Sequence, residues 1–175
     1  MRTSWRTVLI ILLSVAVVVQ ASDECPIEPL AGFFPFLGTD WIGHFTSSPA
    51  PPFEHAITWD LALSGQVVRW LKTVDEIGFE METHFYWDRI RETVAFVQLC
   101  NNGAHGTGTA AIMDGTLTLV GVAMQSSGAV EFRQTFERSE DGTLVDRYYT
   151  RAGSTWLPEH VILYVPSSDD ADQQT

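Results

Sequence analysis

The sequence predicts an all-β protein: an antiparallel up-and-down (meander) barrel of about ten strands, calycin-like in outline, with a signal-peptide helix in front of it. Three observations carry that expectation. Turn signals such as Ser64-Gly65, Asn101-Asn102-Gly103, Asp114-Gly115 and Asp141-Gly142 recur at intervals of about ten residues. The runs between them alternate apolar and polar residues with period two, as half-buried strands do. Beyond Thr39 no run keeps a helical period over a convincing length.

The chain opens on a leader. Arg2 and Arg6 precede an apolar run, Val8 to Val19, broken by Ser14, and Val19-Gln20-Ala21 puts small residues at the two cleavage positions. The run is shorter than the roughly 20 residues that span a bilayer core. Residues 1–21 are therefore expected to be a signal peptide removed before Ser22, leaving a secreted or periplasmic protein with no membrane attachment. Residues 22–35 form a lead-in rich in Pro and Phe, with room for one helical turn from about Glu28 to Phe33. So many aromatics there suit a plug at one end of the domain.

The barrel domain is expected over residues 36–166. The stretch Phe36 to Phe45 organises it: a turn at Gly38 feeds a strand from about Trp41 to Thr46. Pro49, Pro51 and Pro52 make the next segment a loop. A second strand runs from about His55 to Leu63, with Ile57, Trp59, Leu61 and Leu63 on one face. In the third, Gln66 to Val74, Val68, Trp70 and Lys72 alternate against Val67, Arg69 and Leu71. The fourth alternates most cleanly: Phe79, Met81, Thr83, Phe85 and Trp87 oppose Glu80, Glu82, His84 and Tyr86.

Thr93 to Cys100 is a near-continuous apolar strand, and His105 to Ile112 is one thinned by Gly106 and Gly108, which permit a bend or bulge. Thr116 to Met124, Val130 to Arg138, Thr143 to Arg151 and Thr155 to Val165 complete the set, with Pro158 bulging or delaying the last. Residues 167–175 are polar and acidic, the composition of a disordered tail. Short connections make successive strands antiparallel neighbours. Ten twisted strands leave costly edges unless the sheet closes, so a barrel is preferred to a two-sheet sandwich.

Charge narrows the partners. The chain carries 10 basic and 22 acidic residues; without Arg2 and Arg6 it has 8 against 22, a net charge of −14. Such a surface repels phosphate backbones and anionic headgroups, which argues against nucleic acid and membrane surfaces. It leaves the oligomeric state open.

No catalytic signature is visible. Ser64, Ser154 and Cys100 sit in no nucleophile motif, and Gly103 to Gly108 is Gly-rich without a helix start behind it. The five histidines form no H-x-H or H-E-x-x-H pair, so no metal is expected. Binding is therefore expected rather than catalysis, with Trp41, Trp59, Trp70, Met81, Phe85, Trp87, Phe96, Phe132 and Phe136 as candidates to line a cavity. Barrel interiors use such residues equally to fill a core. Cys25 and Cys100 can pair in an oxidising compartment, or Cys100 can be a buried thiol.

These residues carry a resemblance. Phe36-Leu37-Gly38 before Trp41 and Gly43, then Trp59-Asp60-Leu61 and Leu63-Ser64-Gly65, resemble the opening of calycin-type barrels: lipocalins, fatty-acid-binding proteins and nitrobindins. Phe85-Tyr86-Trp87-Asp88 and the two Asp-Gly hairpins are most similar to a bacterial lipocalin-like group of unknown function, the DUF1579 type. The likeness covers roughly Leu30 to Val165. Gly38 stands three residues before Trp41 where lipocalins place it two before, and the last strand lacks the Arg that lipocalins pack on this Trp. The resemblance implies a barrel that binds a small apolar molecule and implies no activity; no cofactor is expected. Its nitrobindin branch implies an alternative, haem on His160, which lies as late in the chain as the nitrobindin ligand. A third reading is a filled barrel serving as a structural or interaction module.

Overall fold

The computed structural model describes residues 26–47, 49 and 51–167. The expected signal peptide, Cys25 and the tail from Ser168 onward lie outside the described residues. Ten strands follow one another: β1 (Trp41–Phe45), β2 (His55–Ala62), β3 (Val67–Val74), β4 (Phe79–Asp88), β5 (Thr93–Cys100), β6 (His105–Met113), β7 (Thr116–Gln125), β8 (Gly128–Arg138), β9 (Leu144–Ala152) and β10 (Thr155–Pro166). Each pairs antiparallel with its neighbours in sequence, and β1 also pairs with β10. The sheet is thus a closed meander barrel, and the sandwich alternative falls away.

Alternation decides which side chains enter. On β3, Val68, Trp70 and Lys72 point inward while Arg69 faces out to an ion pair with Asp60 of β2. On β4, Met81, Thr83 and Phe85 are buried, and Glu82 contacts His84 on the outer face. The Glu82 and His84 face is therefore the solvated one.

One end of the barrel is stopped. A 3₁₀ helix, Glu28–Phe36, carries Pro29 in its first turn and contains Pro35, which lacks the N–H a longer helix needs. Ile27 N–H donates to the Gly65 carbonyl at 3.1 Å, and Arg138 Nη1 donates to the Pro35 carbonyl at 2.9 Å. These bonds hold Leu30, Phe33 and Phe36 in the mouth, where all three are buried. Phe33 packs on Phe85 at 4.8 Å between centroids, and Phe36 on Trp59 at 5.4 Å. Trp59 in turn stacks on Trp70 at 5.3 Å and 10°. Burying each such side chain is worth about 1.5–3 kcal/mol. The lead-in is thus a plug, a longer one than the single turn its sequence suggests.

The strand glycines make room rather than a bend. The β6–β7 register runs unbroken, with Gly108 opposite Gly121. A Cβ on Gly108 would stand 2.7 Å from Phe96 Cζ, and one on Gly121 would stand 2.8 Å from it. The pair forms the bare floor on which the Phe96 ring lies.

The last strand does bulge. Its register shifts between Pro158 and His160, so Glu159 is the extra residue. One inserted residue flips the faces that follow. Trp156 lies outside, against the Arg133 and Arg151 guanidinium groups, whereas His160, Ile162 and Tyr164 point inward.

Candidate functional site

Above the stopped half, the inward positions turn polar. Lys72 (β3), Thr83 (β4), Gln98 (β5), Gln134 (β8) and Asp146 (β9) are all buried. Gln98 Nε2 donates to Thr83 Oγ1 at 3.3 Å, and Gln134 Nε2 donates to Asp146 Oδ1 at 2.9 Å. Asp146 Oδ2 and the Tyr164 hydroxyl are buried without a hydrogen-bond partner among the described residues. Nearby on β2, His55 is 5% exposed and both of its ring nitrogens are likewise unpartnered.

On this polar layer stands a cavity of about 910 Å³, open between the β5–β6 and β7–β8 turns. Lys72, Gln98 and Gln134 contribute to its floor, and Phe79, Met81, Ala123 and Met124 to its apolar wall. Cys100, Tyr148 and His160 line it too. Tyr148 reaches the wall as the inward partner of His160 across the β9–β10 ladder.

Burial governs the charge here. It draws the Lys72 ammonium down, against the attraction of Asp146, and pushes Asp146 up to about 6, against the attraction of Lys72. His160 is held at about 4 by burial and then by the Lys72 charge, and His55 at about 4 by burial, Lys72 and His160 in that order. Tyr148 is pushed to about 12 by burial and by Glu159 and Asp146. Burial also raises the Cys100 thiol, so it stays protonated at neutral pH and makes a poor nucleophile. Among the described residues no cluster of His, Cys, Asp and Glu has the makings of a metal site.

The cavity candidates read from sequence separate by height in the barrel. Met81 lines the cavity. Trp41, Trp59, Trp70, Phe85, Phe96, Phe132 and Phe136 are buried in the packed core, most of them at the level of the plug. Trp87 lies lower still, beside Ile27 and Pro29 in a surface cleft at the stopped end. His160 lies in the cavity wall, as does Cys100. Because Cys25 lies outside the described residues, its pairing with Cys100 is a matter for thiol titration of unreduced protein.

Sequence reasoning passed over Gln98, Gln134 and Asp146. Their signal was present: polar residues at inward positions of otherwise apolar strand faces. An arginine does stand over the Trp41 ring, from a strand other than the last. Arg138, at the end of β8, sets its guanidinium carbon 5.5 Å from the Trp41 ring centroid.

Fold and site together define a ten-stranded antiparallel barrel plugged at one end and open, with a polar-floored cavity, at the other. A solved structure similar to this chain is that of Rv2717c from M. tuberculosis, 14% identical, with a TM-score of 0.49 over 81% of this chain and 99% of that one. No protein-family model and no curated protein matches the sequence. No helix among the described residues is long and apolar enough to cross a membrane.

Proposed function

We propose that this protein is an exported binding barrel that takes a small, largely apolar molecule into its open end. The cavity of about 910 Å³ carries the proposal. It is large enough for a lipid-sized molecule and walled by Phe79, Met81 and Met124, and apolar surface gains about 25 cal/mol for each Å² it buries. The polar floor gives such a ligand one end to orient. The filled-barrel reading describes the plugged half and leaves the cavity without a role. Titration with an environment-sensitive apolar dye is the test, with micromolar binding expected, which corresponds to about 8 kcal/mol. Ala123→Trp places an indole in the cavity and should abolish the dye signal while thermal unfolding stays cooperative. Dye binding that ignores Ala123→Trp would mean that the site lies elsewhere. Export is tested by mass spectrometry of the mature protein, which should begin at Ser22.

One observation favours haem as a second reading. His160 lines the cavity, burial keeps its imidazole neutral, and no described residue hydrogen-bonds its ring. It therefore fits as an axial ligand, and haem bound there would supply a redox-active iron. Haemin titration should then give a Soret band that His160→Ala removes. Under the leading reading the same variant leaves dye binding intact.

A further inference from the structure

We propose that Lys72 anchors its ligand covalently: its ε-amine condenses with an aldehyde at the head of an apolar molecule seated in the cavity. The proposal rests on the ligand-binding reading above and specifies the head group.

Lys72 is the only lysine in the 175-residue chain; the other nine basic residues are arginines. Lysine ordinarily keeps its ammonium in water. Here the side chain is 7% exposed and points inward from β3, in phase with Val68 and Trp70, to line the cavity floor. The ion pairs of the outer surface use arginine and histidine, and none includes Lys72. Among the described residues nothing accepts a hydrogen bond from it. Burying an ammonium that no described residue hydrogen-bonds is costly, and this draws Lys72 toward the neutral amine, whose lone pair is the nucleophile, against the attraction of Asp146.

The neighbours favour a carbonyl over an anion. No arginine lines the cavity and the lining His160 is held neutral, so at the floor an anionic head would find Lys72 alone, with His105 out at the mouth. It would also meet Asp146, buried behind Gln134 and near enough to act on Lys72 electrostatically. A carbonyl carbon needs no counter-charge. Once the imine is protonated, Asp146 supplies one. The step balances without a redox partner. The amine nitrogen attacks the carbonyl carbon, the C=O electron pair moves to oxygen, and that oxygen leaves as water with two protons as C=N forms.

The experiment incubates the full chain with decanal and cyanoborohydride, which reduces an imine to a stable secondary amine, and reads intact mass and peptide maps. The expected result is one adduct at Lys72, formed at least tenfold faster than on an acetylated lysine amide in solution. Lys72→Met and Lys72→Gln should lose the adduct while still binding decanol, measured by dye displacement. Modification confined to the N-terminal amine, or a Lys72 rate no faster than that of the free lysine amide, overturns the proposal. Decanoate that binds tightly through Lys72, with no adduct from decanal, overturns it in favour of a non-covalent anion anchor. If none of the three ten-carbon probes displaces the dye, the ligand-binding reading itself fails, which is a different result from the loss of the adduct alone.

Discussion

The rings of Tyr148 and His160 lie 8° from parallel with their centroids 5.2 Å apart, so the two side chains stack where both line the cavity. The stack exists because the β10 bulge turns His160 to the same side as Tyr148. Phe45 closes the other side of the imidazole, edge-on at 5.3 Å, and meets His55 in the same manner at 4.6 Å. Two histidines are thereby packed around one phenyl ring, His55 buried and His160 half-buried, with less water about them than their charged forms need.

That enclosure makes stability depend on pH. Burial lowers His55 and His160 from 6.5 to about 4, and raises Asp146 from 3.8 to about 6. Between about pH 6 and 4 the unfolded chain binds two histidine protons that the native protein excludes, whereas native Asp146 holds one that the unfolded chain has lost. The unfolded state is ahead by about one proton, so stability falls as pH falls, by about 1.4 kcal/mol per unit. Urea midpoints at pH 6 and pH 5 check the slope. His55→Leu removes one histidine from the balance and should flatten it toward zero.

The plug is a second handle. Phe33 is 2% exposed and touches both Trp59 and Phe85, whereas its neighbour Phe34 is 66% exposed. Phe33→Ala should cost about 3–5 kcal/mol, the range for truncating a buried phenylalanine. Phe34→Ala should change stability by less than about 0.5 kcal/mol, as surface substitutions do. Equal effects from the two variants would show that the 3₁₀ helix does not seat as described.

Glycine spacing in β6 offers a paired test. A Cβ on Gly108 would stand 2.2 Å from the Val120 carbonyl oxygen, which is backbone and cannot swing aside. A Cβ on Gly106, two residues earlier, would meet nothing closer than 3.4 Å. Gly108→Ala should therefore destabilise by about 3 kcal/mol, the upper end for overpacking, and Gly106→Ala should be near neutral. Thermal unfolding of both variants reads the difference directly.

Arg138 joins the plug to the barrel rim, through the Pro35 carbonyl at 2.9 Å and the Trp41 ring at 5.5 Å. Each contact is worth about 0.5–1 kcal/mol at an exposed site. Arg138→Ala should cost about 1–2 kcal/mol by that sum and change the Trp emission, while Arg138→Lys should recover part of the loss. A fully stable alanine variant would show that the rim holds without it.

Much of this architecture was legible in the sequence because a strand reports its faces every second residue. The inward sets on β3, β4 and β8 match the alternation of Trp70, Phe85 and Phe132 with their charged neighbours. Alternation says in or out; it does not say how high along the barrel axis a residue sits. Trp59, Trp70 and Phe85 were legible as interior, but only the plug decides that they fill the stopped half rather than line the cavity. Lys72 shared their phase, and its role depends on the same missing coordinate. The β10 bulge was foreshadowed by Pro158, yet its effect on His160 required knowing which single residue is inserted.

The seam between β1 and β10 governs how such a barrel is made. Each other ladder joins strands adjacent in sequence, so those hairpins form by short searches. The seam instead brings Gly43 opposite Tyr164 and Trp41 opposite Pro166, across almost the whole domain. Loop-closure entropy makes that pairing the slow, late event, a latch on an already assembled sheet. Until it closes, both β1 and β10 are open edges, and the danger of strand addition between molecules is greatest in that interval. Trp41 is buried beside the seam and is therefore the natural optical reporter of its closing.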